Sequence, residues 1–213
     1  MSMVQDIDMV DGDLSDELVE SLQVAAKEYG LAIDTETSGL DPREDKLHVV
    51  TIGVPDHVAV VALRDGDRPV NLTRLLRNEE LLKVFHNALF DLSFLTTHLG
   101  VAITNVYCTK VAARIGGVAI DPTLQFLVAH LLGTELNKGQ RLSNWAQRPL
   151  SSAQLDYAAS DVRHLHELRR VLSRMLSDRG ETELFESCMT FLPSRVRLGM
   201  RGLNDVFAYS IGH

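Results

Sequence analysis

The chain has 213 residues, 45% apolar and 23% charged, a balance that suits one soluble domain large enough to bury a real core. No apolar run reaches the ~18 residues of a membrane span, and the N-terminus, acidic from Asp6 onward, lacks the basic flank and apolar stretch of a signal peptide, so no membrane contact and a cytoplasmic location are expected. With 29 acidic against 21 basic residues the net charge is −8, which excludes a globally basic surface for gripping long polyanions and leaves either a small basic patch or a ligand with few phosphates.

Residues 1–12 read as an acidic arm or a first edge strand. Ser15 followed by Asp16 and Glu17 predicts a helix start, with Leu18, Leu22, Ala25 and Ala26 on one face and Gly30 as the stop. Leu31 to Thr35, Leu47 to Val54 and Val58 to Leu63 read as three successive strands. Leu81 to Asn87 reads as a helix end running into a short strand, Asp91 to Leu99 as a helix, and Ile103 to Cys108 as another short strand. From Thr109 the pattern is helical almost throughout. Ser151 with Gln154 three residues later is a capping box that opens one long helix to about Asp178, stopped by Gly180. Strands first, then strands alternating with helices, predict an α/β fold with a mixed sheet flanked by helices. Cys108 and Cys188 lack metal-type spacing and sit among apolar neighbours, as buried free thiols do.

Four carboxylates and a phenol stand out by placement. Asp34 and Glu36 are two apart at the end of a strand, so they point to one face just past the apolar run Leu31-Ala32-Ile33. Two like charges converging there repel, and a metal ion would offset that cost; the alternative is a polar strand end facing water. Asp91 and Asp161 have no cation within a helical turn, so each takes its counter-charge from a distant Arg or from a bound ion. Tyr157 stands four residues before Asp161, hence on the same helix face, at the edge of the stripe Leu155, Ala158, Val162, Leu165, Leu172 and Leu176. It either packs there or reaches a cleft. Hard divalent cations take oxygen ligands, and two such ions about 4 Å apart steady both oxygens of an in-line displacement at phosphorus. Tyr157, with an ordinary pKa near 10, suits aiming a water better than deprotonating it.

The ordered motifs Asp34-Thr35-Glu36, Asn87-Ala88-Leu89-Phe90-Asp91 and Tyr157-Ala158-Ala159-Ser160-Asp161 resemble those of the DEDD superfamily of 3′–5′ exonucleases, in its tyrosine-bearing branch. Leu142-Ser143-Asn144-Trp145 through Leu155-Asp156-Tyr157-Ala158-Ala159-Ser160-Asp161-Val162 looks like ribonuclease D. Cys188 to Pro193 and Asp205 to Ser210 are similar to the C-terminus of the nano-RNase C (NrnC) type, short ribonuclease D relatives that cleave dinucleotides. The resemblance implies a ribonuclease H-like mixed sheet in a single domain over 1–213, with a catalytic core at about 30–172 and a tail at about 181–213. It implies two Mg²⁺ or Mn²⁺ ions on Asp34, Glu36, Asp91 and Asp161, with Tyr157 completing the catalytic set.

It further implies hydrolysis of very short RNA, chiefly dinucleotides, to nucleoside 5′-monophosphates, with Thr35, Leu40, His86 and Asn87 at the substrate. Leu40 would wedge between two bases, or else fold back as a turn residue; His86 faces substrate or is a hydrogen-bonded core histidine. Leu89 departs from the pattern, since the family has a basic residue there. The tail, with Arg195, Arg197 and Arg201, is expected to pack against a neighbouring subunit of a homo-oligomer, an octameric ring by resemblance. Two other functions stay open: a general ribonuclease D-like exonuclease for tRNA precursors, longer RNA or DNA, and a silent nucleic-acid-binding scaffold.

Overall fold

A six-stranded mixed sheet in the order β1-β4-β3-β2-β5-β6 organises the computed structural model, which describes residues 6–136, 139–140, 142–203 and 205–208. Strands β1 (Asp6–Asp11), β2 (Leu31–Thr37), β3 (Leu47–Val54), β4 (His57–Ala62), β5 (Lys83–Phe85) and β6 (Val106–Cys108) carry it. The pairs β2–β3 and β3–β4 are antiparallel; β1 on β4, β5 on β2 and β6 on β5 are parallel. The central strands are apolar on both faces because both are covered: Leu31, Ala32, Ile33, Val49, Val50 and Ile52 have no exposed surface.

Helix α1 (Asp16–Tyr29) begins where Ser15 accepts a hydrogen bond from the Leu18 N–H at 3.2 Å, and ends at Gly30, whose φ of 82° and closeness to the Leu82 carbonyl leave no room for a Cβ. Helix α2 (Val70–Arg77) has no cap of its own. Asp13, 58 residues away, supplies it: its carboxylate accepts from the Asn71 and Leu72 N–H groups at 2.9 Å each. The expected helix end near Leu81 therefore lies at Arg77, and β5 follows.

Helix α3 (Ala88–Leu99) packs on β3, β5, β6 and the last helix. The region from Thr109 is less helical than expected. After α4 (Thr109–Ile115) and α5 (Leu124–Leu127), which continues as a π-helical turn over Val128–Leu132, no described residue is helical until α6 (Ser152–Arg163). Gly116-Gly117, Pro122, Gly133 and Pro149 interrupt it.

The expected long helix is also two. The chain leaves helical geometry at His164 (φ −98°, ψ −3°) and resumes as α7 (Leu165–Arg179), followed by α8 (Thr182–Met200). The break lets α6 lie on β2 and β3 while α7 turns to pack on α4 and α8. Val162 fixes the approach of α6: Gly53 pairs with Ala32 across β2–β3, and a Cβ at residue 53 would come within 2.9 Å of the Val162 side chain. Ala32 shares its face with Asp34 and Glu36, so α6 sits against the face that carries them.

Cys108 and Cys188 are free, the first buried and the second half-buried. No helix among the described residues is long and apolar enough to cross a membrane.

Candidate active site

The close approach of α6 to β2 brings Asp161 over Asp34 and Glu36, and one carboxylate oxygen from each of the three lies within 4.8 Å of the others. Asp91, on the first turn of α3, is 2% exposed and accepts a hydrogen bond from the Thr35 hydroxyl at 2.8 Å. Thr35, expected at the substrate, therefore spends its side chain on Asp91; strand alternation turns it away from the face of Asp34 and Glu36. Asn87 precedes α3 with φ 66° and ψ 41°, a left-handed conformation that asparagine tolerates better than most residues, and its side chain makes no cap.

Burial raises all four acids, and repulsion by the neighbouring carboxylates adds to it at Asp34 and Glu36. Desolvation, then the charges of Asp91, Asp161 and Glu36, hold the Asp34 carboxyl well above the usual range. Desolvation first, then Asp161 and Asp91, push Glu36 up to about 9. Asp91 rises to about 7 by desolvation, restrained by the Thr35 hydroxyl, and Asp161 to about 6, restrained by the hydroxyls of Tyr157 and Ser160. No Lys or Arg among the described residues forms an ion pair with any of them. Such a cluster is an oxygen-only, electron-rich donor set that fits Mg²⁺ or Mn²⁺ and has little else to recommend it energetically.

Tyr157 hydrogen-bonds Asp161, and desolvation with the charges of Asp161, Glu36 and Asp34 raises its pKa, so the phenol is a neutral donor at any working pH. Its ring packs on Trp145 at 6.0 Å between centroids and 44°. That contact depends on Gln154. Besides closing the capping box with Ser151, its Nε2 donates to the Ser143 hydroxyl (2.9 Å) and the Asn144 carbonyl (3.1 Å), pinning the segment that carries Trp145.

Asp34 and Asp161 open on a cavity of about 390 Å³ that His86, Asn87, Lys110 and Tyr157 also line. His86 Nδ1 lies 2.9 Å from the Thr109 hydroxyl, and burial, then Lys110, lowers its pKa to about 4, so it meets a ligand as neutral imidazole. Lys110, ion-paired with Asp121 at 2.8 Å, and Gln125 were not legible as wall residues because the segment from Thr109 reads only as helix.

Leu40 is 83% exposed on a braced loop: the Ser38 N–H donates to the Lys46 carbonyl at 3.0 Å, the Lys46 N–H donates to the Ser38 hydroxyl, and Asp45 accepts from the Asp41 N–H at 2.9 Å. A second cavity of about 360 Å³ lies beside it, lined by Leu40, Leu89, Ser93, Arg195 and Met200. Leu89 is thus a wall of this cavity, whose cations are Arg43, ion-paired with Asp41, and Arg195 of α8.

Residues 10–177 match the family model described as 3′–5′ exonuclease, and the chain belongs to this family of phosphodiester hydrolases. Within it the chain is ribonuclease D-like. It is 32% identical over 179 residues to ribonuclease D of Gluconacetobacter diazotrophicus, covering 84% of this chain and 46% of that one, and 36% identical over 152 residues to ribonuclease D of Zymomonas mobilis, covering 70% and 39%. The chain thus spans less than half the length of these curated relatives. Brucella melitensis NrnC superposes with a TM-score of 0.88 at 37% identity over 96% of this chain and 99% of that one. Structures of that protein with bound Mg²⁺ and bound to pGG superpose with TM-scores of 0.86 and 0.88, at 36% and 35% identity, over 96% and 97% of this chain and 99% and 100% of theirs.

Proposed function

We propose that the chain is a metal-dependent 3′–5′ exoribonuclease that cleaves very short RNA, chiefly dinucleotides, to nucleoside 5′-monophosphates. The observation that carries the metal dependence is the convergence of Asp34, Glu36 and Asp161 within 4.8 Å, with Asp91 buried beside them and no Lys or Arg among the described residues ion-paired with the group. Asp34, Glu36, Asp91 and Asp161 would hold two divalent ions, which when bound would supply Lewis acidity toward the phosphate and a lowered pKa for water. Tyr157, a neutral donor anchored by Asp161, holds the attacking water in line, and Glu36 accepts its second hydrogen bond. His86 and Asn87 line the nucleotide that is released, with His86 donating or accepting as neutral imidazole.

The preferred length follows from Leu40. An exposed apolar side chain on a braced loop, with one cavity at its side and another at the acids, suits a ligand with two bases parted by that side chain. The pGG-bound structure of Brucella melitensis NrnC supports the same reading. Exposed Leu203, Val206 and Phe207 beyond α8 fit the proposed homo-oligomer, in which the tail covers a neighbour. Initial rates on 5′-labelled RNAs of two to ten residues, with Mg²⁺ or Mn²⁺, test the reading. A rate highest for the dinucleotide supports it; equal or faster cleavage of the heptamer assigns the chain to general ribonuclease D-like trimming.

A further inference from the structure

Away from the acids, the corner between α2, the end of α3 and the β3–β4 edge concentrates positive charge in a chain whose balance is −8. Two cavities of about 720 and 670 Å³ meet there, sharing Asp67, Arg68, His98 and Leu99. Lys46, Arg64, Arg68, Arg74, Arg77 and Arg148 line the combined trough, against two acids, Asp65 and Asp67. Helix α2 builds one wall because it is amphipathic: Leu72, Leu75 and Leu76 are buried, so Val70, Thr73, Arg74 and Arg77 face outward together.

Not all of this charge is cancelled within the protein. Lys46 pairs with Asp65, Arg64 with Asp11 and Arg74 with Asp16. Arg148 and Arg77 bond carbonyls instead. The Arg148 guanidinium takes Trp145 O and Gln147 O at 2.7 Å, Leu63 O at 2.8 Å and His48 O at 3.0 Å; Arg77 takes Gly100 O at 2.9 Å. A carbonyl fixes a guanidinium in place without neutralising it. Arg68 is exposed and makes no ion pair among the described residues. Three positive charges without an ion-pair partner, two of them fixed, thus remain against one such carboxylate, Asp67, along a trough whose α2 wall alone is roughly 11 Å long at 1.5 Å per residue. One phosphate would occupy a fraction of that length; a row of phosphates fills it.

We infer that this trough binds the phosphodiester backbone of single-stranded nucleic acid longer than a dinucleotide, as a site separate from the acidic cluster. It adjoins the active-site loop: Lys46 follows the Leu40 loop, with its N–H donating to the Ser38 hydroxyl at 2.9 Å, and Ala146 in the trough wall follows Trp145, which packs on Tyr157. Longer strands are thereby held next to a catalytic centre without filling it. The inference uses family membership and is independent of the dinucleotide preference.

The test is fluorescence anisotropy of a 5′-labelled heptaribonucleotide with Mg²⁺ in an Asp161→Asn background, comparing Arg68→Glu and Arg68→Glu/Arg77→Gln. Dinucleotide hydrolysis is followed in the same trough substitutions on the active chain. Heptamer binding is expected to weaken at least tenfold at 50 mM salt, and the log–log salt slope of the double variant to fall by about 1.4, at about 0.7 per phosphate contact. Dinucleotide turnover stays within twofold, and a melting curve checks folding, with Arg68→Glu serving alone if loss of the Arg77 bond to Gly100 unsettles α3. Unchanged heptamer affinity in both variants overturns the inference. So does a parallel fall in dinucleotide turnover, which would mean distortion of the acidic site, and so does a change in oligomer mass with unchanged RNA affinity, which would make the trough a subunit contact.

Discussion

Replacing Glu36 with Gln is expected to destroy hydrolysis and yet stabilise the metal-free protein. The carboxyl of Glu36 is held up to about 9 from an ordinary 4.5 by burial and by Asp161 and Asp91. At pH 7.5 the unfolded chain carries this group ionised, whereas the folded protein must take up a proton to bury it. Holding a proton three pH units above the ordinary pKa costs about 4 kcal/mol at 1.36 kcal/mol per unit. Because the neighbouring acids share the proton, roughly 2–4 kcal/mol is the working range, or about 4–16 °C in melting temperature for a chain of this size.

The sign is fixed. A carboxyl whose folded pKa is raised leaves the folded state holding more protons than the unfolded one, so metal-free stability falls as pH rises from about 4.5 to about 9. Glutamine removes that slope for one group. The assay is thermal melting in EDTA across pH 5–9, repeated with Mg²⁺, which should restore the wild type by binding the native state and leave the variant nearly unmoved. A variant that melts at or below the wild type in EDTA at pH 7.5, or a wild type whose metal-free stability is flat with pH, refutes the account of the acidic cluster.

Asp91→Asn and Asp161→Asn are each expected to abolish turnover while leaving circular dichroism unchanged; wild-type rates in either would remove that residue from the ligand set. Tyr157→Phe keeps the Trp145 contact and loses only the hydroxyl, so single-turnover rates should drop by about 10² to 10⁴ with substrate affinity retained. Gln154→Ala deletes the capping-box partner and the bonds to Ser143 and Asn144, and should cost about 2–3 kcal/mol together with a lower kcat, read by denaturant melts and steady-state kinetics. Leu40→Ala touches an 83% exposed side chain, so stability should move by less than about 0.5 kcal/mol, while the KM for dinucleotides rises about tenfold, the loss of roughly 1.4 kcal/mol of apolar contact.

Some of this molecule was legible before any coordinates. The apolar run Leu47 to Val54 is a strand with those bounds, Ser15 and Ser151 start helices, and Asp34, Glu36 and Asp161 come together with Asp91 and Tyr157 close enough to shift their titration or be shifted by it. These features depend on short-range rules: strand alternation, helix periodicity and capping.

What escaped depends on partners far apart in sequence. Nothing in Arg163-His164-Leu165 announces a break, because the cause is the different packing of α6 and α7. Asp13 looks like one more solvated acid until α2 arrives above it. Thr35 sits in the acidic motif, and nothing local announces that its hydroxyl donates to Asp91, 56 residues away. The two arginines of α2 are far in sequence from Lys46 and Arg148, and only folding gathers them with Arg64 and Arg68 into a trough.

The contact between α6 and β2 also sets a schedule for biosynthesis. Asp161 lies 127 residues after Asp34 (161 minus 34), and the acidic trio is incomplete without it. At about 5–20 residues per second, a ribosome needs roughly 6–25 s to go from one carboxylate to the other. Throughout that interval the emerging polypeptide lies beside messenger and transfer RNA with its hydrolytic equipment unassembled. A polypeptide interrupted before residue 161 therefore holds two of the three carboxylates and cannot close the trio, however well β2 and β3 have paired.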